Sequence, residues 1–514
     1  MRAIRLKTEH LTAPMGVDFT APQLFWNCEG GVRQTAWQIL AADDGGNLLW
    51  DSGKTEGAAM RAKWGGSPVL AKTSVIWRVR LWDENGVCGE WSESSFETGI
   101  DTWCARWITG DYRVNRKKRY PVDCFRTIFE SSNVKKARLY ITACGLYEAK
   151  LNGQRAGDVI LAPGITDYRR RVQYQTYDIT PLLRSGENVL TVQLADGWYR
   201  GSTGAWGLRN QYGTETKLLA QLEITHTDGH VQTVCTDESW EWSNDGPIRF
   251  ADNKDGEVVD AGCAPSYNGK AKATAHPVTP SASDNVAVRE HERLHAQLLR
   301  TPAGKTVLDF GQNIAGYQAM IKTEQFTLDT DRQARLVRPL ALHLLDEAQT
   351  AYAKKRLLQA LKNYGWRLGT GFLSTPLILD VLAETDLEAA YRLLENEQMP
   401  GWLFMPKSGA TTIWESWEGD RAAGSGVASL DHYSKGAVCR WLFDTMCGIR
   451  VSGENCFSIA PRPGGHFTRA KAAYNSVYGR VESGWEKTEN GWNYTVTIPV
   501  NCTAVLTLPG KEPV

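Results

Sequence analysis

The hydrophobic period of the chain changes abruptly near residue 329, and this change limits the fold more than any other feature. Before it, apolar residues recur at every second position in short runs separated by turn residues, the pattern of strands with one buried face. After it, Leu336, Val337, Leu340, Ala341, Leu344 and Leu345 form the stripe of an amphipathic helix that Pro339 should kink. Ala353, Leu357, Leu358 and Leu361 form a second stripe ending at Gly365, and Leu387, Ala390, Tyr391 and Leu394 a third. Ala437, Val438, Trp441 and Leu442 form another, with Asp431 expected as its N-cap and Gly448 as the glycine past its end. With a short helix near Pro376, about five helices fit between 329 and 448. The tail then returns to alternation in Trp492, Tyr494, Val496 and Ile498, followed by Cys502, Ala504, Leu506 and Leu508.

The first 100 residues read as a fibronectin type III-like β-sandwich. Thr35–Leu40 and Val75–Trp82 alternate, with Asp43-Asp44-Gly45-Gly46 and Asn85-Gly86 supplying turns. Residues 101–282 read as a larger antiparallel β domain of jelly-roll type. Its strands include Ala137–Thr142, Leu190–Leu194 and Leu218–Ile224, and Asn152-Gly153 is a strong two-residue hairpin signal. Two irregular segments there, 162–177 and 196–201, concentrate aromatics, amides and acids, as binding loops on rigid scaffolds do. Residues 283–326 read as a β-sandwich that begins at Val307–Asn313 and stops short. The helical part is assigned to 327–450 and a closing β-sandwich to 451–514.

With 58 basic and 58 acidic residues the chain carries no net charge, which argues against nucleic acid as a partner. The first residues lack the apolar core of a secretory signal, and no apolar run approaches the ~18 residues of a membrane span, so a cytoplasmic protein without membrane contact is expected. The eleven cysteines contain no C-x-x-C pair and read as reduced structural thiols. Twenty tryptophans fit a protein that stacks indoles on sugar rings.

The most site-like stretch is Ser408–Asp420, which holds Trp414-Glu415-Ser416-Trp417-Glu418. A carboxylate between two indoles has the composition of a sugar subsite, with apolar ring faces for C–H groups and an acid for proton transfer. The same string also suits two core tryptophans beside a solvated charge.

The motifs around it resemble the bacterial α-L-rhamnosidases, glycoside hydrolase family 78. They are Arg367–Pro376, Thr411–Trp417, Ser429–Val438 and Ile459–Gly465 in the C-terminal half. In the front half they are Trp77–Asp83, Gly145–Glu148, Leu151–Gly153, Leu161–Gly164, Gln173–Asp178, Asp196–Gly201 and Asp309–Asn313. The resemblance implies an (α/α)6 toroid flanked by β-sandwiches and inverting release of terminal α-L-rhamnose from a glycan or glycoside. Glu415 matches the family's general base, His432 a sugar-contacting histidine, and Trp414 and Trp417 flank the base. No catalytic cofactor is implied, and no motif sets the oligomeric state.

The chain departs from the family at one place. Family members carry an earlier acid-rich stretch, Asp-x-Pro-x-Arg-Asp-Glu followed by Gly-Trp-x-Gly-Asp, which holds the general acid. That stretch does not occur here, and the sequence passes from 307–325 directly to a helix of the toroid's second half. Glu418 and Asp420 lie too close to Glu415 to stand opposite it across a sugar. The expectation is a partial toroid whose catalysis is lost or impaired and whose helices present apolar faces without partners. The alternative is a non-catalytic, lectin-like protein. The 101–282 domain resembles one that in some members binds rhamnose with the help of calcium, which marks Asn152, Asp167, Tyr168 and Trp198 as candidate carbohydrate contacts.

Overall fold

The computed structural model describes residues 1–203, 208–290, 328–419 and 429–512, together with the backbone of strands 297–300 and 306–309. The chain divides into two compact units, Met1–Arg293 and Leu294–Val514.

The first unit opens with a β-sandwich. One sheet has three strands, Arg2–Thr8, Gln23–Glu29 and Arg61–Lys63; the other runs in the order Met15–Val17, Ser92–Thr98, Ser74–Trp82, Ala36–Asp43, Leu48–Asp51. The strand Ser74–Trp82 shows why the alternation was readable. Val75, Trp77, Val79 and Leu81 are fully buried between the sheets, while Arg78 pairs outward with Glu93 and Arg80 lies between the Trp82 and Trp91 rings. At the turn, Asp43 Oδ1 accepts from the N–H groups of Gly45 and Asn47.

The following module is a jelly-roll-like pair of sheets, one of seven strands and one of six. Val134–Cys144 and Lys217–His226 are central in the larger sheet; Leu146–Leu151, Gly186–Ala195 and Asp123–Ser131 lie side by side in the smaller. Leu139, Ile141, Leu222 and Ile224 of one sheet meet Leu151, Leu190, Val192 and Leu194 of the other in one core. The chain changes sheets at Gly145. A Cβ there would lie 2.5 Å from the Ala195 carbonyl oxygen, and φ is +145°, so only glycine suits this corner. Asn152 and Gly153 both have positive φ, as a two-residue hairpin between Leu146–Leu151 and Gln154–Arg155 requires.

In the second unit the helices are Gln333–Ala341, Glu347–Asn363, Thr375–Ala383 and Leu387–Leu394, with shorter turns at Phe404–Lys407, Tyr433–Gly436 and Val438–Trp441. Asp346 and Gln349 cap the second reciprocally, and Asp386 caps the fourth. Three expectations need correction. The first helix stops at Ala341 instead of continuing to Leu345, and Leu344 is exposed, because the chain turns left-handed at His343 (φ +51°) and the Leu344 N–H closes back on the Pro339 carbonyl at 3.0 Å. The cap before Tyr433 is His432, whose Nδ1 accepts from the Ser434 N–H, and not Asp431. The last helix leaves α-helical pairing at Trp441 for a π-turn at Leu442–Met446, although Gly448 follows the Cys447 cap at φ +75° as the expected glycine past its end.

The helices do not leave their stripes open. Leu336, Leu357, Leu361, Ile378, Leu382, Tyr391 and Trp441 share one core with Phe457, Ile459, Val481 and Trp485 of the closing β-sandwich, so the unit is a helical layer on a β layer. Trp485 Nε1 donates to the Met446 carbonyl and Ser483 Oγ to that of Cys447, which fixes the two layers at the π-turn. The two sheets of that sandwich are Ile449–Gly453, Cys456–Ile459, Thr503–Leu506 and Arg469–Ser476, Gly479–Thr488, Gly491–Thr497. Of the segment read as an interrupted β-sandwich, the described parts are 283–290 and the antiparallel pair Gln297–Arg300 and Thr306–Asp309; Phe310–Asn313 and the join after it lie outside the described residues, as does Asp420.

Candidate active site

Glu415 sits on an irregular segment between the turn at Phe404–Lys407 and the helical turn at Tyr433–Gly436. Two hydrogen bonds hold it against Ser429. The Glu415 N–H donates to the Ser429 carbonyl at 2.8 Å, and the Ser429 N–H donates to Glu415 Oε2 at 2.8 Å. A carboxylate held by a backbone donor keeps one orientation and leaves its second oxygen for a proton or a water.

Lys435, which the sequence reading did not single out, completes the constellation. Its Nζ donates to the main-chain carbonyl of Glu415 and lies 3.9 Å from the centroid of the Trp417 ring. The residue is only 3% exposed. Burial lowers the pKa of its ammonium to about 8, against the opposing pull of Glu418 and Glu415. The sequence held no sign of its burial, since Tyr433 two positions before it is exposed.

The other matched residues differ in role. Trp417 is half-buried and carries the lysine on its face. Trp414 is 9% exposed, its N–H faces the Met405 sulfur at 3.4 Å, and its ring leaves no room for a Cβ on Gly419; it packs rather than lines. His432 is 2% exposed, caps the helical turn and stacks on Phe372 with ring centroids 4.6 Å apart. Its N–H donates to the Ile413 carbonyl, so it links the segment before Glu415 to the turn after it. Glu418 is exposed.

In the first unit the four carbohydrate candidates fall in separate settings. The Asn152 side chain bridges the hairpin to Leu182, Asn188 and Val189. Tyr168 is buried among Tyr199 and Tyr212 and donates to the Gly164 carbonyl. Asp167 is paired through both oxygens with Arg169, and the hydrogen bond from that guanidinium lowers its pKa. Trp198 alone lines a cleft, of about 810 Å³, together with Gln175, Tyr177, Asp158 and Asn285. The rest of its motif is structural: Arg200 is buried and bonded to Asp196 and Tyr112, and Arg209 takes the other Asp196 oxygen. Both Asp167 oxygens are engaged by Arg169 in a largely exposed pair. Among the described residues no group of three or more His, Cys, Asp or Glu side chains is arranged to hold a metal ion, and no helix is long and apolar enough to cross a membrane.

Two β modules, a helical layer that holds Glu415 and a closing β-sandwich define the class as a multidomain, mostly β protein with one helical domain. Family models agree along the chain: the Rha78A-like N-terminal immunoglobulin domain at 3–102, the α-L-rhamnosidase N-terminal domain at 132–297, the bacterial α-L-rhamnosidase six-hairpin glycosidase domain at 293–446 and the bacterial α-L-rhamnosidase C-terminal domain at 452–514. The chain belongs to the bacterial α-L-rhamnosidases of glycoside hydrolase family 78.

It is similar to an α-L-rhamnosidase of Formosa agariphila, 33% identical over 287 residues, covering 50% of this chain and 30% of that protein. It is also similar to one of Streptomyces avermitilis, 23% identical over an aligned length of 686, covering 74% of this chain and 66% of the relative. The chain thus spans about a third of the Formosa relative and about two thirds of the Streptomyces one. Among solved structures, the native α-L-rhamnosidase of Aspergillus terreus shares the fold with a TM-score of 0.89 at 20% identity, covering 100% of this chain and 98% of that one. The Streptomyces avermitilis enzyme complexed with L-rhamnose follows at 0.82 and 19%, covering 98% and 96%.

Proposed function

We propose that the protein is an α-L-rhamnosidase by descent, directed at terminal α-L-rhamnosides of glycans or glycosides, in which Glu415 is the general base and hydrolysis is strongly impaired. The observation that carries this reading is the asymmetry of the site. The base segment is intact, down to the amide that orients Glu415, but the stretch that supplies the opposing acid does not occur in the sequence. The aligned length of 686 with the Streptomyces relative exceeds the 514 residues of this chain, which supports an internal segment missing here.

Inversion needs an acid on the glycosidic oxygen and a base that activates water from the opposite face. Glu415, oriented by Ser429, accepts the water's proton. Without the acid the leaving group departs as an unassisted alkoxide, at a cost of ~10²- to 10⁴-fold in rate. The test is release of L-rhamnose by the 514-residue protein from an alkyl α-L-rhamnoside, whose alkoxide leaving group depends on the acid. The expected rate is at least ~10²-fold below that of a full-length family member. A comparable rate, abolished by Glu415→Gln, would defeat the claim of impairment.

A second reading, a rhamnose-binding protein without catalysis, is favoured by the Trp198 cleft, where an indole stands beside amide, phenol and carboxylate groups. Calorimetric titration with L-rhamnose, with and without calcium, decides it. Binding heat that disappears in Trp198→Ala supports the reading, and no heat in either condition removes it.

A further inference from the structure

Between the N-terminal sandwich and the jelly-roll, residues 104–106 are clamped onto the strand pair Lys217–His226 and Val231–Cys235. The Arg106 N–H donates to the Thr236 carbonyl at 2.8 Å, and Thr236 Oγ1 donates back to the Arg106 carbonyl at 2.7 Å. The N–H groups of Cys104 and Ala105 both point at Gln221 Oε1, at 2.8 and 3.3 Å, and Gln221 is the cross-strand partner of Cys235. This double clamp holds the Cys104 and Cys235 sulfurs 2.9 Å apart across 131 positions of sequence. Cys104 is exposed and Cys235 half-buried, so an oxidant in solution reaches the first sulfur directly.

We infer that Cys104 and Cys235 are a redox pair that closes to a disulfide in the presence of a low-molecular-weight disulfide, fastening the 100–107 segment to the edge of the jelly-roll. With oxidised glutathione, the Cys104 thiolate attacks one glutathione sulfur, the glutathione S–S bond breaks, and one glutathione leaves and takes up a proton. The Cys235 sulfur then attacks Cys104 Sγ in the mixed disulfide. The Cys104–Cys235 bond forms, the second glutathione leaves, and it takes the Cys235 proton. Two cysteines are oxidised and one glutathione disulfide is reduced to two thiols. Burial and the adjoining Cys104 raise the pKa of the Cys235 thiol, which assigns the first attack to Cys104 and the resolving step to Cys235. Closing so long a loop restricts the unfolded chain, so oxidation also raises the melting temperature.

The experiment uses the full 514-residue protein, first reduced and then equilibrated with millimolar oxidised glutathione, and mapped by non-reducing proteolysis and mass spectrometry. The expected product is a peptide joining Cys104 to Cys235, two hydrogens lighter than its reduced parts. The melting transition of the first unit should rise on the order of 5 °C and return on reduction. Cys104→Ser and Cys235→Ala keep the clamp and should abolish both the cross-linked peptide and the shift. A wild-type protein in which both cysteines remain thiols, or in which Cys104 carries glutathione without resolving to Cys235, overturns the inference.

Discussion

Glu415 and Ser429 are joined by two hydrogen bonds running in opposite directions, both 2.8 Å: backbone to backbone one way, and from the Ser429 N–H to the Glu415 carboxylate the other. The second bond is charge-assisted, and it gives the acidic side chain a structural role besides its proposed chemical one. Glu415→Gln keeps an acceptor oxygen and should leave the Ser429 amide protected from hydrogen exchange, while Glu415→Ala removes it and should cost about 1–2 kcal/mol locally. Amide exchange at Ser429, compared across the wild type and the two variants, distinguishes the cases. Equal protection in all three would show that the carboxylate does not hold the loop.

Lys435 should report the state of the same site through pH. Its amine is lowered from an ordinary 10.5 to about 8 by burial, with Glu418 and Glu415 resisting the shift. Competitive acylation followed by mass spectrometry should therefore show Lys435 gaining neutral-amine character with a midpoint near 8, well before the surface lysines. The stability consequence has a definite sign. The folded state releases this proton earlier than the unfolded state, so stability rises with pH between about 8 and 10.5, and the rise should be missing in Lys435→Met. A labelling midpoint above 10 would remove the burial argument.

Asn152 was a candidate sugar contact, and its geometry predicts a stability role. Its φ is +53°, its Nδ2 donates to the Leu182 carbonyl and to Asn188 Oδ1, and its Oδ1 accepts from the Val189 N–H. Asn152→Ala places a Cβ in the left-handed region without local compensation and deletes these bonds, an expected loss of about 2–4 kcal/mol. Asn152→Gly keeps the turn and should recover about 1 kcal/mol of that loss. Urea denaturation followed by tryptophan fluorescence measures both, and a cost below ~0.5 kcal/mol for the alanine variant contradicts the assignment.

The strands of the first unit were legible because alternation maps directly onto two-sided burial, as in Val75 to Trp82, and because Asn152-Gly153 needs no tertiary information to make its turn. The end of the first helix was not. Leu344 and Leu345 continue the stripe by spacing alone, while the left-handed backbone at His343, which no stripe reveals, ends the helix. The site was readable only as a string. Glu415 between two indoles looked symmetric in sequence, but in the fold Trp414 packs inward and Trp417 carries Lys435. The partnering of the helices was illegible for a related reason: periodicity reports that a face is buried and not that Phe457, Ile459, Val481 and Trp485 will cover it.

A second pH signature should come from Glu97. This carboxylate of the strand Ser92–Thr98 is buried, accepts from Arg138 Nε at 2.8 Å and from Ser74 Oγ at 2.6 Å, and has Lys136 Nζ at 3.2 Å. Burial acts to raise its pKa, but the hydrogen bonds of Arg138 and Ser74 and the charges of Arg138 and Lys136 outweigh burial and leave it below its ordinary 4.5. A lowered folded value means that the stabilisation is fully present above the unfolded value and is lost as pH falls through the folded one. Arg138→Met leaves the carboxylate buried with only Lys136 and Ser74, which should cost about 3 kcal/mol at pH 7. Protonation of Glu97 removes its demand on the guanidinium, which then keeps its pair with Asp178 at 2.9 Å, so the urea midpoints of wild type and variant should draw together as pH falls below 4.5. A difference that stays constant from pH 7 to pH 3 would assign the loss to packing of the arginine stem and not to the ion pair.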